Sequence, residues 1–218
     1  MKPESPAHLE GVQNDNSRST LERILEACRF SPEALEQAAR EVERIFGEER
    51  AVLVMDMSGF SRTTVRHGII SSLFMIHRVK QIARPCIEGS GGLLVKAEAD
   101  NLFCLFDAPA QALAAAGAIV RGLRAANHAL PEEQRLSVSV GIGFGRILNI
   151  GNEDLFGHEV NLASKLGEDI GQGSDILLTA AAHRSLPPGL ARTREEAAQI
   201  SGLTLPYFVV EDFNAQGC

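Results

Sequence analysis

The chain has no excess of basic residues, no paired-cysteine motif and no apolar run of membrane length. Its 21 Lys and Arg are outnumbered by 28 Asp and Glu, for a net charge of −7. That balance argues against broad nucleic-acid or anionic-membrane binding, and it leaves room for a local cationic site that grips a polyphosphate. Cys28, Cys86, Cys104 and Cys218 show no C-x-x-C spacing and no cleavable signal segment is read ahead of them, so reduced thiols in a cytoplasmic protein are expected. Nothing approaches the ~20 apolar residues that span a bilayer. The Ala-rich stretch 108–120 is broken by Gln111 and closed by Arg121, and reads as a core helix. His8, His67, His77, His128, His158 and His183 are scattered without metal-ligand spacing. There is no G-x-x-x-x-G-K-[ST] loop and no G-x-S-x-G elbow.

What is present is an ordinary globular composition, 44% hydrophobic and 22% charged over 218 residues, enough for one well-buried domain and an extension. Residues 1–18 are polar and read as a flexible terminus. Ser19 with Glu22 gives a capping-box signal, and Ser31-Pro32 starts a second helix that Gly47 stops, so 19–47 is expected to be a helical extension. From residue 51 the pattern runs strand, helix (62–84), hairpin (93–106), helix (109–127), a second hairpin (136–151), helix (157–169), a short strand at 175–178 and a terminal strand at 207–211. That order predicts an α+β fold with a ferredoxin-like βαββαβ core and additional strands, over residues 50–212.

Two stretches each place an acidic residue at a strand end. An apolar β-run from Ala51 ends at Asp56 and passes through Met57, Ser58, Gly59, Phe60 and Ser61 into a helix. The second runs from Gly91 to Phe106, where two apolar segments flank Asp100-Asn101, a pair suited to the positive φ of a tight turn. With the first strand beside that hairpin, the two carboxylates converge at one sheet edge. Two carboxylates form a hard oxygen site suited to Mg²⁺ that substrate phosphates also hold, the skeleton of a phosphoryl-transfer enzyme. Free amides at the start of the following helix favour phosphate near Ser58, Gly59, Phe60 and Ser61.

These residues resemble the catalytic domain of class III nucleotide cyclases, the adenylate and guanylate cyclase family. Three blocks in order carry the resemblance: Val54-Met55-Asp56-Met57-Ser58-Gly59-Phe60-Ser61, Gly91 to Phe106, and Asp154-Leu155-Phe156-Gly157-His158-Glu159-Val160-Asn161-Leu162-Ala163-Ser164-Lys165. Gly91-Gly92 also suggests a diguanylate cyclase, but Leu93-Leu94 follows where that family has an acidic motif. The class III resemblance implies a homodimer with composite active sites that binds a nucleoside triphosphate and two Mg²⁺ or Mn²⁺ ions per site. Asp56 and Asp100, with the backbone carbonyl of Met57, match the metal contacts. Lys96 and Asp154 match the base-reading pair, Asn161 the ribose-orienting asparagine, and Lys165 takes the place of the transition-state arginine.

A lysine donor and a carboxylate acceptor fit adenine and oppose guanine, but cytosine presents the same edge polarity. ATP is therefore the leading substrate, with a pyrimidine nucleotide (CTP or UTP) or a catalytically degenerate homologue as alternatives. Three departures bear on the phosphates. Lys165 lacks the planar fork of arginine, Ser139 stands at a phosphate-binding arginine position, and Ser201 stands near the place of a phosphate-binding lysine. Arg62, Arg66 and Arg146 are candidate replacements.

Overall fold

The computed structural model describes residues 15–28, 31–58, 60–200 and 202–214, with only the backbone at 60–63, 66, 67, 133 and 200. Most of the segment read as a flexible terminus, together with Gly59 and Ser201, lies outside the described residues. The chain divides into two compact units between Gly47 and Glu48.

The first unit holds α1 (Arg18–Ala27) and α2 (Pro32–Phe46). The α1 cap is Ser17, whose hydroxyl accepts from the Thr20 N–H at 3.3 Å, two residues before the capping box expected at Ser19. Ser31 caps α2 by accepting from the Ala34 N–H at 3.2 Å, with Pro32 at the first helical position.

The second unit is an α+β domain. Its elements are β1 (Gly47–Ser58), α3 (Phe60–Gly89), β2 (Leu93–Glu98), β3 (Asn101–Phe106), α4 (Pro109–Asn127), β4 (Ser137–Ile150), β5 (Asp154–Phe156), α5 (His158–Lys165), β6 (Ile176–Thr179), α6 (Ala180–Arg184), β7 (Ala191–Ile200) and β8 (Leu203–Phe213). The strand order is β2-β3-β1-β4-β6-β8-β7, with β5 paired to β4. The first four strands in that order, with α3 and α4, are the expected ferredoxin-like core. No helix among the described residues is long and apolar enough to cross a membrane.

Several elements differ from the sequence reading. Residues 137–150 form one continuous strand, and its hairpin partner is β5, with Leu148 opposite Phe156 and Ile150 opposite Asp154. The turn between β2 and β3 is Ala99-Asp100, with Ala99 at φ +49°, and Asn101 already pairs with Glu98. The strand β1 continues past Asp56 to Ser58. The helix after it is longer than expected and is interrupted at Gly68, at φ +81°. The hairpin of β7 and β8 replaces a lone terminal strand. Its outer strand is disguised in the sequence because Arg192, Arg194 and Glu196 give it a charged face, as suits a sheet edge; Arg192 and Arg194 both pair across the hairpin with Glu211.

Alternation along the central strands sorts the two faces of the sheet. Leu53, Met55 and Met57 of β1, Leu102, Cys104 and Phe106 of β3, and Val138, Val140 and Ile142 of β4 share one core with Ile76, Val79 and Ala83 of α3 and Leu113, Ala116 and Ile119 of α4. On the other face Val52, Val54, Phe103, Leu105 and Ile147 pack with Val160 and Ala163 of α5. Helix α5 lies against the sheet so closely that a Cβ on Gly141 of β4 would sit 2.0 Å from the Ala163 carbonyl oxygen. Beyond Lys165 the helix widens into a π-helical turn, Leu166–Ile170. There a Cβ on Gly167 would sit 2.9 Å from the Val54 carbonyl oxygen of β1.

Because the Gly141 clash is with backbone, it cannot be relieved by a side-chain rotation. Gly141→Ala is expected to cost about 3 kcal/mol and to lower the melting temperature by roughly 6–12 °C in a circular-dichroism melt.

Candidate active site

On β1 the row Val52, Val54, Asp56 follows the period-two face covered by α5, so Asp56 is the polar end of an otherwise buried ladder. Asp100 comes from the turn that ends β2, and the pairing of β1 with β3, Met55 opposite Leu102, brings that turn to the same edge. The two expected carboxylates therefore share one edge, near enough for the charge of Asp100 to act on Asp56. Burial and then the Asp100 and Glu168 charges push the Asp56 carboxyl up to about 6, although the Met57 N–H donates to it; Asp169 adds a smaller push. Partial desolvation, then Asp169, also raises Glu168.

The hydroxyl of Ser58 reaches the Gly173 carbonyl oxygen at 3.4 Å, and the Met57 side chain is in the core. Phe60 and Ser61 open α3 as expected.

The expected base-reading pair is in contact. Lys96 Nζ is 2.9 Å from Asp154 Oδ1, across 58 residues of sequence. Both side chains are largely buried, at 22% and 19% exposure. Asp154 opens β5, and its Oδ1 also accepts from the Leu155 N–H at 2.9 Å. Lys96 stands over the Phe103 ring, 4.6 Å from its centroid, and its ammonium is 3.2 Å from Glu98 Oε1. Burial opposes the charge on Lys96, but its bonds to Asp154 and Glu98 outweigh that and hold its pKa above the ordinary lysine value.

Asn161 and Lys165 lie four apart on α5, opposite the buried Val160 and Ala163. Asn161 is exposed. Lys165 Nζ is 2.6 Å from Asp169 Oδ2, an exposed pair that raises the lysine pKa. Ser139, at the expected phosphate-arginine position, is 1% exposed and donates to the Gly167 carbonyl oxygen at 2.7 Å. Its side chain pins the π-helical turn, so it is not available to a phosphate. Arg146 is exposed on β4.

Sequence reasoning missed Glu98, Glu168 and Asp169. Alternation along β2 already places Glu98 on the Lys96 side, and i,i+4 spacing already pairs Lys165 with Asp169. The approach of Glu168 to Asp56 had no such signal, because it depends on a π-helical register. Among the described residues no group of three or more His, Cys, Asp or Glu side chains is arranged to hold a metal ion.

No family profile matches the chain. A protein of Rhizobium meliloti (strain 1021) named "Putative adenylate cyclase 3" is 29% identical over 116 residues, which is 53% of this chain and 20% of that protein. The chain thus matches only about a fifth of the length of that relative. The solved guanylyl cyclase Cya2 superposes with TM-score 0.69 at 19% identity, covering 78% of this chain and 95% of that one. The adenylate/guanylate cyclase/hydrolase from Silicibacter pomeroyi gives TM-score 0.62 at 25% identity, covering 75% and 95%. The adenylyl cyclase CyaB from P. aeruginosa gives 0.64 at 17%, covering 77% and 97%. The resemblance to class III nucleotide cyclases therefore holds in the fold as well as in the order of the motifs.

A carboxylate whose pKa is raised on folding binds more protons folded than unfolded, so its contribution to stability falls as pH rises from about 4 to about 6. Without divalent ions, Asp56→Asn is expected to melt about 2–4 °C above the wild type at pH 7.5, or about 1 kcal/mol after allowance for solvent screening. The difference should vanish near pH 4, as a pH series of thermal melts would record.

Proposed function

We propose that this chain, which has the fold of a class III nucleotide cyclase catalytic domain, converts a nucleoside triphosphate, ATP in the leading reading, to the 3′,5′-cyclic nucleotide and pyrophosphate. The observation that carries the proposal is the Lys96–Asp154 contact at 2.9 Å, formed in the same domain that draws Asp56 and Asp100 together. A purely structural domain has no evident use for a mutually repelling carboxylate pair.

Asp56 and Asp100, with the Met57 carbonyl, would hold Mg²⁺ or Mn²⁺. Two carboxylates, with no third acidic ligand grouped with them among the described residues, suit an ion whose remaining positions are filled by phosphate and water. Asn101, next to Asp100, keeps its side-chain carbonyl oxygen buried without a donor, which adds an unmatched acceptor beside the acid pair. Bound there, divalent ions would acidify the ribose 3′-hydroxyl and offset charge on the phosphates.

In the reaction the 3′-oxygen attacks the α-phosphorus, the bond to pyrophosphate breaks, and the hydroxyl proton leaves. Lys96 and Asp154 hold the base by donating to a ring nitrogen and accepting from an exocyclic amine. Asn161 orients the ribose, and Lys165 exchanges Asp169 for oxygens of the transferring phosphate. The reading places the metal carboxylates on one copy of the chain and Lys96, Asp154, Asn161 and Lys165 on a second, giving a homodimer with two equivalent sites. The apolar side chains Val65, Ile69, Ile70, Leu73 and Phe74 are exposed along α3 in the single chain, which supports such a partner. A cytoplasmic location accompanies this reading. A pyrimidine nucleotide is the second reading, since the Lys96–Asp154 pair accepts the amine edge of cytosine as well. Burial of Ser139 favours a third, a degenerate binding module, because it removes one phosphate contact.

Purified protein incubated with Mn²⁺ and ATP, GTP, CTP or UTP separately is expected to give a cyclic product from ATP. Asp56→Ala should give none. Lys165→Ala should lower kcat by about 10²-fold, and Lys165→Arg should retain or raise it. Absence of product from all four nucleotides contradicts the proposal.

A further inference from the structure

The Lys96 ammonium pairs with two carboxylates of unlike freedom. Asp154, at 2.9 Å, is largely buried and its Oδ1 is fixed by the Leu155 N–H. Glu98, at 3.2 Å, is 65% exposed and lies at the end of β2, opposite Asn101. Lys96 and Glu98 share one face of β2, and the ammonium stands over the Phe103 ring, 4.6 Å from its centroid.

A lysine and one carboxylate read a base edge ambiguously. They fit an amine beside a bare ring nitrogen and oppose a carbonyl beside a ring N–H, but the first edge is common to adenine and cytosine. A second carboxylate on the same ammonium, set opposite Asp154, would make the pattern acceptor, donor, acceptor. Adenine presents amine, ring nitrogen and C–H, with no lone pair facing a carboxylate. Cytosine presents amine, ring nitrogen and a carbonyl oxygen, which meets the second carboxylate. Guanine sets a ring N–H against the ammonium, and uracil is opposed at all three positions.

We propose that Glu98 is a specificity-determining residue of the base pocket: with Asp154 it brackets Lys96 and selects adenine nucleotides against cytosine nucleotides as well as against guanine and uracil. The inference rests on the cyclase reading and names the substrate within it. Rejection works through repulsion, the charge of Glu98 facing the cytosine 2-carbonyl. Glutamine at the same position offers an amide N–H to that oxygen.

The test uses 3′-deoxy-ATP and 3′-deoxy-CTP, which lack the attacking hydroxyl and so bind without turnover. Their affinities are measured calorimetrically with Mn²⁺ on the wild type, Glu98→Gln and Glu98→Leu. The wild type is expected to favour the adenine analogue by about tenfold or more. Glu98→Gln should narrow that ratio at least about fivefold, mainly by tighter binding of the cytosine analogue, with Glu98→Leu changing in the same direction. An unchanged ratio in both variants, or a wild type that prefers the cytosine analogue, overturns the proposal while leaving the cyclase reading intact. A wild type that binds neither these nor the guanine and uracil analogues overturns both.

Discussion

The close approach of α5 to the central strands is the constraint on which the site depends. Gly141 lets the helix backbone rest on β4, and Gly167 lets the following turn rest on the Val54 carbonyl of β1, two residues before Asp56. Each copy thereby fixes both a cation-bearing helix end and an acid-bearing strand end, which the proposed dimer would assign to different sites. The same approach explains Ser139. With α5 this near, the position is covered by the π-helical turn, and a small hydroxyl that donates to the Gly167 carbonyl satisfies a buried group that arginine could not replace without moving the helix. The missing arginine is thus a packing solution as well as a missing contact.

Charge is distributed against the chain's own stability. Asp56, Asp100, Glu168 and Asp169 influence one another at the edge of β1, and Asp56 titrates well above the ordinary carboxylate range. Cations lie to either side but are engaged with other carboxylates, Lys96 with Asp154 and Glu98, and Lys165 with Asp169. Function at strained or self-repelling groups is a recurring pattern in sites that await a charged ligand. A nucleotide with divalent ions supplies both the positive charge the acid edge lacks and the phosphates toward which Lys165 can turn.

Much of this is legible in the sequence. The apolar runs around Asp56 and Asp100 located two strands and their shared edge, and motif order carried the fold. Lys96 and Asp154 were paired from the resemblance alone, and they meet. The boundaries were less legible. Residues 137–150 carry Gly141, Gly143 and Gly145, residues that a hairpin turn would use, and their continuity was set by pairing with β5 and β6. The charged outer strand β7 looks like a loop until its partner β8 is known. Ala99, an unexceptional residue by propensity, takes the positive φ expected of Asp100-Asn101, because the register of β2 and β3 fixes the turn. The nearness of Glu168 to Asp56 belongs to a π-helical register that no helical periodicity announces.

The central claim is that each site is divided between two copies of the chain, with the acid edge from one and Lys96, Asp154, Asn161 and Lys165 from the other. Mixing two inactive variants tests it most directly. Asp56→Ala and Lys165→Ala proteins, combined in equal amounts and allowed to exchange subunits, should recover cyclase activity to about a quarter of the wild-type level, because half of randomly paired dimers hold one intact site. Activity that stays at the level of the separate variants, with subunit exchange verified, would contradict the divided site.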